Sequence, residues 1–477
     1  MIRKFFAIIL MFFFSLSAFA QFHDKFIGTW EGKLNVGIEL RIVFHILDDG
    51  HGGLASTADS PDQNAYGLVC NSTSLAVDQI SIEMLKQNAK FSGKLVNDST
   101  IKGTFAQGAE IPLELKKVVN ISEGKKLNRP QTPQPPFPYN ADSVEYDNEN
   151  KSVHLGGTLT YPQGQGPFPA AILITGSGQE DRDETLFGHK PFAVIADYLT
   201  RHGFAVLRVD DREVGKSRGD IKNATSDDFA KDVMTSMDFL KTRKEIDKNK
   251  IGLIGHSEGG LIASIVITKR KDVAFIISLA GPGTKGAEVL ADQNEVIMRT
   301  EGMDSATAAA YYKLYTAIIN HAATEKDSAV AVDKSIKAFY DWKKSVTPEQ
   351  LKKLQLDNDS DAVANYKKMV PIIRQPWMRY FLKSNPALNY QKAYSPVLAL
   401  NGSKDIQVVA KKNLSGIRQA LQKSKTKNFE TRELPGLNHL FQHCKKCDLK
   451  DYSVLEETFS TEALEIMGEW LEKNVKK

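Results

Sequence analysis

The sequence predicts an α/β fold, with a mostly parallel sheet, helices on both faces and a helical insertion, preceded by a small antiparallel β domain. Three observations predict it. From about Val144 onward, apolar strand-like runs alternate with helical patterns, as a doubly covered parallel sheet requires. A helical insertion, about 285–390, interrupts that alternation between the strand-like runs 275–279 and 396–400. Before it, from Phe26 to about Val119, short strands of alternating polarity are punctuated by turn signals such as Asp48-Asp49-Gly50 and Asn97-Asp98-Ser99.

The elements follow in order. Arg3-Lys4, the apolar run Phe5 to Leu16 and the small residues of Ala18-Phe19-Ala20 form an export signal, expected to be cleaved before Gln21. Its apolar core is short for a membrane anchor, no cysteine follows for lipid attachment, and no later stretch is apolar enough to span a bilayer. An exported, periplasmic or secreted protein is therefore expected. Residues 21–120 form the β domain, with examples at 37–46 and 90–95. Residues 121–143 form a linker whose prolines, in Arg129-Pro130-Gln131-Thr132-Pro133-Gln134-Pro135-Pro136-Phe137-Pro138, make a stiff spacer or a strap. Residues 144–477 form the α/β domain, with helices expected at 191–202, 226–243, 258–269, 409–423 and 461–474.

The chain has 477 residues, enough for two or three domains, and a formal net charge of +4. Arg3 and Lys4 belong to the leader, so the mature chain is close to neutral. No basic run with interleaved aromatics suggests a nucleic-acid partner. Of the three cysteines, Cys444 and Cys447 are expected as a local disulfide or as idle thiols, and Cys70 is expected to be buried among Leu68, Val69 and Leu75. Two cysteines beside His443 make a poor tetrahedral metal site.

The chemistry centres on Gly255-His256-Ser257-Glu258-Gly259. The apolar run Ile251 to Ile254 leads into it, and a helical run from Gly260 follows. A serine on a sharp strand-to-helix turn is strained, and its flanking residues must be small. Ser257 is therefore the candidate nucleophile. It needs a base and an orienting carboxylate, which in enzymes built on such a turn follow in the order acid, then histidine. Only His321, His439 and His443 follow Ser257, and His321 lies in a helical stretch. Asp405 falls in the loop after the strand-like run 396–400, and His439 in the loop after the run 429–434. His443, on a segment that looks helical, ranks second as base. The oxyanion would face two backbone amides, that of Glu258 and one from Gly176-Ser177-Gly178 after the run 168–175. Ser177 is the expected donor, with Gly178 the alternative.

Together, Gly176 to Glu184, Arg208 to Ser217, the Gly-His-Ser-Glu-Gly turn, Asn401-Gly402-Ser403-Lys404-Asp405 and Leu434 to His439 resemble the bacterial carboxylesterases of the EstD type, near the serine aminopeptidase-like hydrolases. The resemblance covers roughly residues 130–477. It implies an α/β-hydrolase fold, no cofactor, a small-molecule ester substrate, Ser257 as nucleophile, Asp405 as orienter and His439 as base and then acid. Thr175 departs from the histidine that many such relatives carry before the oxyanion glycine. Arg182, Asp210, Asp211 and Arg212 are read as ties between loops at the top of the sheet. Glu258 suits a helix start, and it also suits a substrate amine, which keeps a peptidase reading open. A non-catalytic binding protein is the third reading. The insertion is expected to cover the sheet as a lid, with Trp377 and Tyr380 lining the pocket or anchoring the cap.

Overall fold

The computed structural model describes residues 23–35, 39–48, 53–63, 65–76, 78–84, 87, 89–107, 110–118, 129–186, 188–448 and 451–476. The expected leader, its cleavage site and Gln21 lie outside the described residues, as do Gly37 and Ile38 of the first quoted strand. The chain divides into two compact units, Met1–Asn128 and Arg129–Lys477.

In the first unit, strict alternation of apolar and polar residues builds strands with one dry face. In β7 (Ala89–Asn97) every second residue from Ala89 to Leu95 is buried. The other strands are β1 (Gly28–Asn35), β2 (Glu39–Asp48), β3 (Leu54–Ser60), β4 (Ala65–Val69), β5 (Ser72–Ala76), β6 (Gln79–Met84), β8 (Thr100–Ala106) and β9 (Glu110–Lys117). Among the described residues they form one nine-stranded antiparallel sheet in the order β4-β3-β2-β1-β9-β8-β7-β6-β5. Its dry face carries Trp30, Phe44, Phe91 and Ile82. The rings of Phe44 and Phe91 stack at 5.4 Å. The Trp30 indole N–H donates to the Phe26 carbonyl at 2.7 Å, so burying that ring strands no donor. Cys70 is half-buried rather than buried. Leu68 and Leu75 pack beside it on the dry side, whereas Val69, one residue away in an extended chain, points out and is 62% exposed.

The second unit opens earlier than the alternation at Val144 suggests. The Gln131 side chain accepts from the amides of Thr458 and Phe459 at 2.6 and 3.1 Å and donates to the Phe459 carbonyl at 2.6 Å. The proline-rich segment from Arg129 is thus strapped onto this unit. An antiparallel pair follows, β10 (Tyr139–Asp147) and β11 (His154–Pro162). The remaining strands are β12 (Phe168–Ile174), β13 (Ala205–Val209), β14 (Ile246–His256), β15 (Ile276–Leu279), β16 (Val397–Gly402) and β17 (Phe429–Leu434). The sheet order is β10-β11-β13-β12-β14-β15-β16-β17, parallel from β13 onward. This is the α/β-hydrolase fold, with the expected class and the expected preceding β domain.

Both faces of the sheet are covered at its centre, which explains why β12, β15 and β16 are largely apolar. Along β12, Ala170 and Ile172 face α2 (Ser226–Thr242) and α3 (Glu258–Lys269). Ala171 and Leu173 face α1 (Pro191–Arg201) and, with β17, α13 (Thr461–Leu471). Between β15 and β16 comes the cap, with helices α4 (Gly286–Thr300), α5 (Ser305–Thr324), α6 (Ser328–Lys343), α7 (Pro348–Lys353), α8 (Asp359–Ile373), α9 (Pro376–Lys383) and α10 (Pro386–Tyr390). It has its own core around Leu314, Ile318, Phe339, Trp342 and Tyr366. α11 (Ala410–Gln422) follows β16, and α12 (Asp451–Val454) precedes α13. No helix among the described residues is long and apolar enough to cross a membrane.

Candidate active site

Ser257 joins β14 to α3 with φ 52° and ψ −119°, a conformation that side chains rarely adopt. The turn persists because its neighbours leave no alternative. A Cβ on Gly255 would lie 2.1 Å from the Gly259 carbonyl oxygen, and one on Gly259 would lie 2.1 Å from that of Ile174. The Ser257 amide donates to the Leu279 carbonyl at 2.8 Å, which pins the turn to the neighbouring strand. Directly after it, the first amides of α3 point their positive ends toward the serine side.

The loop after β12 lies alongside. A Cβ on Gly176 would lie 3.5 Å from that of Ser257. The Gly176 amide is already committed, donating to Glu184 Oε1 at 2.8 Å. Ser177 lines one cavity together with Ser257 and Glu258, and Gly178 does not. Thr175 donates through Oγ1 to Asp211 Oδ1 at 2.8 Å, and the Glu180 amide donates to Asp211 Oδ2 at 2.9 Å. Threonine thus ties the loop where a histidine ring is absent. Burial raises the Asp211 carboxyl to about 7. The other charged motif residues also tie loops together. Arg182 grips Asp210 through Nε and Nη2 at 3.0 and 2.5 Å, and Arg212 grips Asp232 at 2.7 and 2.9 Å.

Asp405 and His439 meet after β16 and β17. His439 Nδ1 donates to Asp405 Oδ2 at 2.8 Å, and the two side chains are 5% and 0% exposed. The other carboxylate oxygen of Asp405 accepts from the amides of Gln407 and Val408 at 2.7 and 2.9 Å. With its proton on Nδ1, the ring presents Nε2 as an acceptor. Among the described residues, no hydrogen bond joins Nε2 to the Ser257 hydroxyl.

The segment after His439 is not helical, contrary to the expectation that placed His443 one helical turn on. Asn438 Oδ1 accepts from the amides of Leu440 and Gln442, Phe441 takes a φ of 61°, and Leu437 bridges His443 in antiparallel fashion. An asparagine side chain that captures its own following amides favours a turn over a helix. His443 points away, with its side chain 57% exposed and paired with Glu457 at 2.9 Å. The Cys444–Cys447 disulfide closes the segment.

Two residues that sequence reasoning passed over hold these loops to one another. His256 Nδ1 donates to Glu184 Oε1 at 2.9 Å, and Nε2 donates to the His439 carbonyl at 3.0 Å. Its ring lies 4.8 Å from that of His439. His256 was visible inside the serine motif, whereas nothing near Glu184 in the chain signals a partner 72 residues away.

The cap meets the serine turn through Glu258. Trp377 Nε1, on α9, donates to its two carboxyl oxygens at 2.8 and 3.0 Å, and Ser226 Oγ donates at 2.6 Å. Burial pushes this carboxyl up to about 7. Trp377 therefore both lines the cavity and anchors the cap. The rest of the cavity wall includes Val289, Leu290, Met378 and Phe381 from the cap. Among the described residues, no group of three or more His, Cys, Asp or Glu side chains is arranged to hold a metal ion.

A strained serine turn at the top of a parallel sheet, under a helical cap, defines an α/β hydrolase. The chain belongs to the serine aminopeptidase, S33, family of hydrolases, whose sequence pattern matches residues 190–443. It is 31% identical to esterase EstD of Thermotoga maritima over 33% of this chain and 38% of that one. It is also 31% identical to an acyl transferase of Photorhabdus luminescens over 29% of this chain and 42% of that one. The chain thus spans about two fifths of the length of these curated relatives. Among solved structures, an esterase of Pyrococcus furiosus superimposes with a TM-score of 0.43 at 18% identity, covering 74% of this chain and 99% of that one.

Proposed function

We propose that the protein is an exported serine hydrolase that cleaves carboxylic esters through an acyl-enzyme. In this reading His439 takes the proton of Ser257 as its oxygen attacks the ester carbonyl. The amides of Glu258 and Ser177 hold the oxyanion, and His439 protonates the departing alcohol. Water then repeats the sequence and releases the acid. Asp405 keeps the His439 proton on Nδ1 and stabilises the imidazolium that forms. In this reading the Ser257–His439 hydrogen bond tightens in the substrate complex. The observation that carries the reading is the buried 2.8 Å bond from His439 to Asp405, joined through His256 to the strained serine turn. The small-residue cleavage pattern at residues 18–20 supports export.

The relatives' names divide between peptidase, esterase and acyl transferase. The cavity favours a neutral acyl group. Glu258 is the one ionisable side chain among the described residues that line it, and its carboxyl is occupied by Trp377 and Ser226. A substrate ammonium would have to share that buried carboxyl with both donors. Purified protein should therefore turn over p-nitrophenyl acetate and leave aminoacyl anilides nearly untouched. Faster turnover of the anilides would replace this reading with the peptidase one.

A further inference from the structure

Three separate loops must stay in register for the proposed chemistry. They are the Gly176-Ser177 loop with its oxyanion amide, the turn at Ser257, and the loop that carries His439. One buried pair of side chains touches all three. Glu184 Oε1 accepts from the Gly176 amide at 2.8 Å and from His256 Nδ1 at 2.9 Å. His256 directly precedes Ser257, and its other nitrogen donates to the His439 carbonyl at 3.0 Å. Both ring nitrogens face acceptors, so the ring fills both bonds only as an imidazolium.

The backbone around Glu184 is built to present it. Asp181 Oδ1 accepts from the amides of Asp183 and Thr185 at 2.9 and 3.1 Å, and the Asp181 carbonyl accepts from the Glu184 amide at 2.8 Å. Glu184 itself takes a φ of 53°, an unfavourable conformation that persists only where surrounding contacts over-determine it. Each side chain of the pair is 8% exposed. A buried ion pair whose two ring nitrogens are both bonded is directional, and such pairs are better attested as devices for fixing geometry than as sources of stability.

We infer that Glu184 and His256 are positioning residues, a clamp that fixes the oxyanion loop and the His439 loop against the Ser257 turn without touching substrate. The inference rests on the acyl-enzyme reading above. The charges of Glu184 and Asp405 act on the His256 ring, and the His439 ring lies against it at 4.8 Å. Burial alone would lower the His256 pKa, but Glu184 reverses this and raises it to about 9. The clamp therefore stays charged through neutral pH and slackens above that value, when Nδ1 or Nε2 gives up its proton.

The test uses the full chain, with wild type, Glu184→Gln and His256→Asn each normalised by titration with a fluorophosphonate. Turnover of p-nitrophenyl acetate is followed from pH 6 to about pH 10.5. For both variants the clamp requires kcat per labelled site to fall roughly 10- to 100-fold while KM stays within about threefold, because reacting groups shift but the cavity does not. Wild type should show an alkaline decline near pH 9. That decline should be missing from both variants. A purely structural pair would lower the melting temperature while leaving kcat per labelled site and the alkaline decline intact, and that result overturns the inference. If neither variant folds, a wild-type kcat that stays flat to about pH 10.5 overturns it as well. Wild type that takes no fluorophosphonate label at all contradicts the proposed function instead, so the two failures are distinct.

Discussion

Asp405 Oδ2 lies 2.8 Å from His439 Nδ1, and two backbone amides hold the other oxygen of the same carboxylate. The aspartate cannot swing away, so it fixes both the tautomer and the tilt of the imidazole. Asp405→Asn keeps the shape but offers an N–H or a neutral oxygen where the ring needs an anion. Its kcat should fall roughly 10³- to 10⁴-fold with an unchanged circular dichroism spectrum. A loss of less than about tenfold would show that the pairing plays no part in turnover.

His443 is the sequence's competing base, and the structure turns it outward toward Glu457. His443→Ala should hold kcat within about twofold of wild type, since the change removes only a solvent-exposed contact with Glu457. A decline as deep as that of His439→Ala would assign the base to the wrong ring.

Gly259 stands against the Ile174 carbonyl oxygen, which an added Cβ would approach to 2.1 Å. The atoms it would meet, in Ile174 and Thr175, are all backbone, so no flexible side chain can give way. Gly259→Ala should therefore destabilise the protein by about 3 kcal/mol or more, or prevent soluble expression. A normal urea midpoint would mean the turn is far looser than its glycines imply.

Glu258 offers a pH test. Its ordinary value is 4.5, and burial raises it to about 7 in the folded chain. Between those values the folded chain holds a proton that the unfolded chain has released. The stability linked to that proton is therefore complete below about pH 4.5, is lost as the pH climbs, and is gone above about 7. Glu258→Gln keeps an oxygen for Trp377 and Ser226 and removes the charge. At pH 5 the variant and wild type should melt close together, and at pH 8 the variant should melt roughly 2–5 °C higher. Asp211 is also raised to about 7, but it is present in both proteins and cancels. A difference that does not change with pH would show that Glu258 is not buried as described.

Much of this site was legible from the chain because its causes are local. Gly255 and Gly259 are needed within a few residues of Ser257, and Asp405 and His439 each lie in a loop just after a strand, the first of them plainly apolar. The class of sheet followed from the alternation alone. What stayed hidden depends on contacts far apart in sequence or on turn chemistry. Helical spacing from His439 to His443 was overridden by the Asn438 side chain, which takes two amides that a helix would use. The Glu184–His256 pair and the Trp377–Glu258 anchor join residues 72 and 119 positions apart, and no local pattern reports such a match. The early start of the α/β unit rests on Gln131 reaching Thr458 and Phe459, which the prolines around it do not reveal.

The most direct measurement is the mass of the intact protein after brief exposure to a fluorophosphonate, followed by peptide mapping. One adduct per chain should appear on Ser257, none should form on Ser257→Ala, and labelling of His439→Ala should be slower by roughly 10³-fold or more. Wild type that stays unlabelled, or carries its adduct on another residue, would contradict the assignment of Ser257 as the nucleophile.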